Sequence, residues 1–236
     1  MSESEHDRLV NPPTSSEQTV RIYAVVLSVG VVCSLAIVTV YEVTRPIIQR
    51  NKIALRQNAI LDVLPAATTV ATFQLDDTTG KFQPTSTDAA GSDLVFAGFD
   101  RHGELVGLAI ETRGMGYQDF IGLLYGYSPD EQAIIGIRVL ESRETPGLGD
   151  RIETDADFLS NFHQMDVGLN SDATQLAHTV EYVKHGKKTA DWQIDGITGA
   201  TISSRAIAEM LSDSAAHWIP RVYRRRTDFA HPESKE

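Results

Sequence analysis

The chain has 236 residues, enough for one sizeable domain with accessories or for two small domains, and 42% of them are apolar, so a core of ordinary size is available. Its formal net charge of −11 argues against nucleic acid as a partner, because that partner calls for a basic footprint. A single cysteine, Cys33, excludes an intramolecular disulfide and any cysteine-ligated zinc or iron–sulfur site built by this chain alone. Redox chemistry would then have to come from a bound organic cofactor or from a partner.

Residues 1–20 are polar and contain Pro12-Pro13, which predicts a short disordered tail. Ile22 to Tyr41 carries no charge. Twenty residues at 1.5 Å rise span roughly 30 Å, the thickness of a hydrocarbon core. The expectation is a single transmembrane helix over residues 21–43. A buried core helix is the alternative, but such helices are usually shorter and show a polar stripe. A cleaved signal peptide is disfavoured by the length of the run and by the absence of a clear small-x-small cleavage site. Only Arg8 and Arg21 precede the run, whereas Arg45, Arg50, Lys52 and Arg56 follow it closely. By charge bias alone the C-terminal part would lie in the cytoplasm.

Residues 44–65 read as an amphipathic juxtamembrane helix, with Ile48, Leu55, Ala59 and Val63 near one stripe. Pro46 near its start and Pro65 just past its end suit helix boundaries. From residue 66 the pattern becomes strand-like. Ala71 to Leu75 and Lys81-Phe82 flank a polar turn, and Leu94 to Phe99 and Glu104 to Thr112 flank Asp100-Arg101-His102-Gly103. Phe120 to Tyr127 and Ala133 to Leu140 make a further pair, Asp155 to Phe162 a short helix, and Trp192 to Ile194 a strand. The class expected is α+β: one N-terminal transmembrane helix, then one mainly antiparallel sheet domain over residues 66–220 with flanking helices. Residues 221–236, with Arg224-Arg225-Arg226, read as a charged, solvated tail that could meet anionic lipid.

Asp195-Gly196-Ile197-Thr198-Gly199-Ala200-Thr201-Ile202-Ser203-Ser204 carries the most chemistry. A turn-forming Asp-Gly pair leads into small residues and then a helical pattern, with Ile202, Ala206, Ile207, Met210, Leu211 and Ala215 on one face. Thr201 falls where an N-cap or first-turn residue would sit, beside free N–H groups and the positive end of a helix dipole, a place suited to phosphate. Gly199 and Ala200 leave room for a bulky group. On these residues alone, a strand–turn–helix junction with a Thr cap is the plain alternative. Glu144-Thr145-Pro146-Gly147-Leu148-Gly149-Asp150 is a stiffened loop that can bring backbone N–H groups and Leu148 against a flat ligand, or simply a surface loop. No phosphate-cradling Gly-x-x-x-x-Gly-Lys-Ser/Thr run and no Gly-x-Ser-x-Gly elbow is present. His163, His178 and His185 show no ligand spacing, no metal site and no acid–base pair is nominated, and Trp192 could stack on a ring or fill the core.

Both runs resemble signatures of the FMN-binding domain family, in this order and some fifty residues apart, and Gly114-Met115-Gly116-Tyr117 resembles that family's glycine-rich turn. The whole chain with its single span resembles the G subunits of Rnf ion-translocating electron transport complexes. The C subunit of the sodium-pumping NADH:quinone oxidoreductase is the close cousin. The resemblance implies FMN bound covalently by a phosphoester to Thr201, with Asp195, Gly196, Thr198, Gly199 and Ala200 as the flavinylation motif. It also implies that Glu144, Thr145, Pro146, Gly147, Leu148 and Gly149 lie near the flavin. The implied role is an electron carrier between ferredoxin-side and NAD-side centres, coupled to ion movement and without turnover of its own. Implied partners are the other membrane subunits, a flavin transferase and membrane lipid. The resemblance further implies a single-pass protein of the cytoplasmic (inner) membrane with its soluble domain on the extracytoplasmic side, against the charge bias. The alternatives are the sodium-pumping quinone reductase or another extracytoplasmic electron-transfer system, and a non-redox membrane-anchored sensory module.

Overall fold

A computed structural model describes residues 15–86, 91 and 93–229. Most of the polar N-terminal tail expected over residues 1–20 lies outside the described residues, and the final residues of the chain do too. The chain divides into two compact units between Lys52 and Ile53.

Helix α1 covers Ser15–Val63 and contains Pro46 in its interior. The expected boundary at Pro46 is therefore corrected: a proline removes one donor from the ladder, and the helix continues through it. In the first unit the apolar run is exposed throughout, with Leu27 and Ile37 each 70% exposed. This is the one helix among the described residues long and apolar enough to cross a membrane.

In the second unit the sheet follows the strand pattern read from the sequence. Strands β1 (Thr69–Asp76), β2 (Lys81–Thr85), β3 (Leu94–Phe99), β4 (Leu105–Met115), β5 (Phe120–Ser128), β6 (Ala133–Glu141) and β7 (Met165–Asp166) form a seven-stranded sheet in the order β2-β1-β3-β4-β5-β6-β7. Every pairing in it is antiparallel. A short helix α2 (Ala156–Ser160), a parallel pair β8 (Glu181–Val183) and β9 (Gln193–Asp195), and the long helix α3 (Thr201–Arg224) complete the unit.

Both faces of the sheet are buried, and the alternation of side chains shows which cover each face takes. Val95, Ala97 and Phe99 of β3, Leu108 and Ile110 of β4, and Leu123, Tyr125 and Tyr127 of β5 point into a large core with Ile207, Met210, Leu211 and Trp218 of α3. The opposite face, with Leu94, Phe96, Ala109 and Leu124, packs on Ala59, Ile60, Val63 and Leu64 at the end of α1. Glycines on this face make the approach possible. A Cβ at Gly107 would stand 2.8 Å from Leu64 Cδ2, and one at Gly126 would strike the Val63 carbonyl oxygen. Of the stripe expected on the juxtamembrane helix, Ala59 and Val63 are buried, whereas Ile48 and Leu55 are 51% and 61% exposed because nothing in the structure covers them.

The C-terminal boundary also moves. Residues 221–229 are not a solvated tail: α3 runs to Arg224, and Val222 and Phe229 are buried. Phe229 meets Phe82 and Phe73 at ring-centroid distances of 4.7 and 5.1 Å, and the Phe82 N–H donates to Asp228 Oδ2 at 3.1 Å. These apolar contacts outweigh the run of arginines beside them, which faces outward.

Candidate functional site

The turn between β9 and α3 is held from several sides. The Asp195 carboxylate accepts the N–H of Gly186 at 2.9 Å and of Lys187 at 3.3 Å, so it fixes the neighbouring 185–187 turn. Asn161 brackets the same residue: its amide donates to the Asp195 carbonyl at 3.2 Å and its carbonyl accepts the Asp195 N–H at 3.1 Å. Gly196 has no alternative, because a Cβ there would stand 2.5 Å from the Tyr182 ring. Ser204, fully buried, accepts the Ile197 N–H at 3.1 Å and donates to the Ala200 carbonyl at 2.8 Å, pinning the turn to the first turn of α3. Gly199 has φ +90°, a conformation costly for any residue with a side chain, and open space where its Cβ would be.

Thr201 is the first helical residue and is exposed; the N-cap is Ala200, which brings no side-chain acceptor. The first-turn N–H groups of α3 lack intrahelical partners by geometry, and no capping side chain competes for them. The predicted helix face holds for Ala206, Ile207, Met210, Leu211 and Ala215, all buried. Ile202 is corrected: it is 53% exposed, and Ser203 and Ser204 take the inward positions. They do so because their hydroxyls have buried partners there.

The Glu144–Gly149 loop lies against this turn. Ser203 Oγ donates to Glu144 Oε2 at 2.5 Å, and Arg151, just past the loop, donates to the Thr198 carbonyl at 2.9 Å. Arg151 also pairs with Asp155 at 2.5 Å. The N–H of Phe158 and the Arg151 guanidinium hold the Asp155 carboxyl below the usual carboxylate range. A third segment joins at the β4–β5 turn. The Gln118 N–H donates to Glu144 Oε1 at 3.0 Å, and Thr145 Oγ1 donates to Gln118 Oε1 at 3.2 Å. Gly114 and Met115 themselves belong to β4. Glu144 is buried, Thr145 is half-buried, and Pro146, Gly147 and Leu148 are exposed, Gly147 with φ +76°. Trp192 is not free to stack on a ligand with its inner face: the ring lies on His178 at 3.8 Å and 11°. Among the described residues no group of His, Cys, Asp or Glu could hold a metal ion.

Arg151, which joins the two motifs, and Gln118 and Asn161, which each hold one of them, carried no signal in the sequence, because each acts on a partner far along the chain; Ser203 was visible as part of the motif, but not as a link to Glu144. Ser204 was visible as part of the motif, but not as a pin.

The arrangement fits a phosphate and a flat apolar ring. Uncapped N–H groups and the dipole of α3 suit the phosphate. The exposed hydroxyl of Thr201, the open Gly199 and the exposed Leu148 and Ile202 leave room for a ring system beside it. Residues 116–216 match the model of the FMN-binding domain family, in a chain that also carries an N-terminal apolar helix. The chain is 30% identical over 211 residues to the G subunit of the ion-translocating oxidoreductase complex of Pasteurella multocida, covering 84% of this chain and 94% of that one. It is 28% identical over 203 residues to the protein of the same name from Methanosarcina acetivorans, covering 84% and 93%. This chain belongs to the family of ion-translocating oxidoreductase complex G subunits. Its fold is also that of NqrC from Shewanella oneidensis, with a TM-score of 0.58 at 19% identity over 75% of this chain and 99% of the other. The C subunit of the Na(+)-translocating NADH-quinone reductase of Parabacteroides distasonis gives the same TM-score of 0.58 at 21% identity, over 74% and 94%.

Proposed function

We propose that this chain is the FMN-bearing electron carrier of a membrane-bound, ion-translocating oxidoreductase complex, with FMN joined to Thr201 Oγ1 by a phosphoester. The observation that carries this reading is the exposed Thr201 hydroxyl at the uncapped entrance of α3, with the Glu144–Gly149 loop tied beside it. Bound FMN supplies one- and two-electron chemistry. The chain's own residues hold and orient it: the first-turn N–H groups of α3 face the phosphate, Gly199 and Ala200 keep the approach open, and Leu148 offers an apolar contact. The ester keeps the cofactor from being lost by dilution. A separate flavin transferase would make that bond once, Thr201 Oγ1 giving up its proton and displacing the leaving group from the phosphorus of an activated flavin nucleotide, so Thr201 is an anchor and not a catalyst.

In this reading the protein relays electrons between ferredoxin-side and NAD-side centres of the complex, beside other membrane subunits and lipid, and has no turnover alone. The isolated flavinylated protein should be reducible by dithionite yet fail to oxidise NADH. Thr201→Val keeps the shape and removes the oxygen. Denatured wild-type protein from its native membrane should fluoresce as a flavoprotein and carry the mass of FMN, and the variant should do neither; flavin surviving denaturation in the variant would refute the acceptor. The soluble unit lies on the extracytoplasmic side, and because Cys33 is the single cysteine, a Cys33→Ala, Ser160→Cys chain offers one external label site. An impermeant maleimide that labels it only after the cells are broken would reverse the orientation. The likeness to the C subunits of quinone reductases supports a second assembly, and the proteins that co-purify decide between them.

A further inference from the structure

Glu144 heads the loop that lies against the acceptor turn, yet its side chain faces inward. It is 6% exposed and both oxygens are engaged, Oε1 by the Gln118 N–H at 3.0 Å and Oε2 by the Ser203 hydroxyl at 2.5 Å. The backbone is shaped to admit it: a Cβ on Gly116 would strike Oε1 and one on Gly149 would strike Oε2. Three segments distant in sequence thus close on one carboxylate.

What those segments carry on their outer side is the second observation. Outside α1, the large apolar side chains described as exposed are Met115, Tyr117, Phe120, Leu148 and Ile202. Four of them are chain neighbours of the residues that touch Glu144. Met115 and Tyr117 flank Gly116, Leu148 precedes Gly149, and Ile202 precedes Ser203. Their exposures are 58%, 65%, 53% and 53%. The residues that close on Glu144 thus have exposed apolar chain neighbours, and one of these, Ile202, lies in the first turn of α3. Hydrogen bonds to a buried carboxylate are strong and directional, so they set the relative placement of the segments more sharply than apolar packing of the same volume would.

Resting on the reading that FMN is carried by Thr201, we infer that Glu144 is a positioning residue. Its carboxylate, through Ser203 and Gln118, sets the apolar rim of Met115, Tyr117, Leu148 and Ile202 around the acceptor, and so sets how far solvent reaches the attached ring. It acts from beneath the site and does not itself contact the flavin.

The test uses the full chain in membranes, co-expressed with a flavin transferase, as wild type, Glu144→Gln, Glu144→Ala and Ser203→Ala. Gln keeps the volume, offers a carbonyl to the Gln118 N–H and turns its amide to Ser203 Oγ as a donor. Glu144→Gln, which keeps both contacts but not the charge, should fall between wild type and Glu144→Ala. Glu144→Ala and Ser203→Ala should acquire covalent FMN about tenfold more slowly, the scale set by sub-ångström misplacement of reacting groups. Flavin attached to either should be more readily quenched by iodide and shifted in midpoint potential. A second readout needs no flavin: in the Thr201→Val background, amide exchange at residues 116–118 and 145–149 should rise in Glu144→Ala and Ser203→Ala. Ser203→Ala loses one bond and a single buried atom, a far smaller change than Glu144→Ala, so it reports even if Glu144→Ala does not fold. Lower melting temperature with unchanged iodide access, potential and exchange at these loops would reduce Glu144 to a stability role and overturn the inference. Wild type lacking flavin on Thr201 would instead sink the FMN reading, while the exchange readout still judges the brace.

Discussion

Asp155 shows how one side chain at the edge of the site does two things. It caps α2 by accepting the Phe158 N–H at 3.1 Å and holds Arg151, whose other arm reaches the Thr198 carbonyl. The short helix beginning at Asp155 was legible in the sequence. The hold on Arg151 was not, because nothing local marks which guanidinium it orients. Asp155→Ala should cost about 1 kcal/mol, the usual worth of such a cap. Its pH dependence has a definite sign. The folded carboxyl titrates below its ordinary value of 3.8, first because of the Phe158 N–H and then because of Arg151. The contribution is therefore complete above that ordinary value and disappears as pH falls through the lower, folded one. Urea melts of wild type and variant should differ at pH 7 and converge in strong acid.

At the scale of elements, the end of α1 behaves as part of the sheet domain. Its last turns fill a groove on the outer face of β3, β4 and β5, and Arg56 adds a polar tie. Arg56 Nε stands 2.8 Å from Glu111 Oε1, and its guanidinium lies 5.5 Å over the Phe96 ring. Glu111 Oε1 is buried and accepts no hydrogen bond. We therefore treat the contact as an ion pair. Burial raises the Glu111 carboxyl above its ordinary value and Arg56 opposes the rise. In Arg56→Met the opposing charge is gone, so the carboxyl shifts further up and its ionised form costs more. The destabilisation should be larger at pH 7 than at pH 4.5, where protonation relieves the unpaired charge. An equal loss at both pH values would show that Arg56 works through its contact with Phe96 alone. The amphipathic pattern of residues 44–65 predicted a helix but not this attachment. The signal lay in the partner, in glycines on neighbouring strands whose spacing means nothing until the strands are side by side.

For the whole molecule, the division between Lys52 and Ile53 makes a concrete prediction about what folds alone. A fragment beginning at Ile53 keeps Ile60, Val63 and Leu64 in their groove; one beginning at Pro65 does not. Each of those side chains is worth roughly 1.5–3 kcal/mol when buried. Together they approach the whole stability of an ordinary domain, about 5–15 kcal/mol. The longer fragment should be monomeric and melt cooperatively. The shorter one should bind an apolar dye through uncovered Leu94, Phe96 and Leu124, and equal melting temperatures would refute the attachment.

The sequence by itself determined the apolar helix, the succession of antiparallel strands and the turn-to-helix run at residues 195–204, because hydropathy length, alternation and turn chemistry act over a few residues. It placed Thr201 at a helix entrance for the same reason. Only the tertiary structure decided that Pro46 does not break α1, that Phe229 belongs to the core and that Ile202 faces outward. It also decided that the two motifs meet through Ser203, Glu144 and Arg151. Those outcomes depend on partners dozens of residues away, and a contact of that range has no period and no composition to betray it.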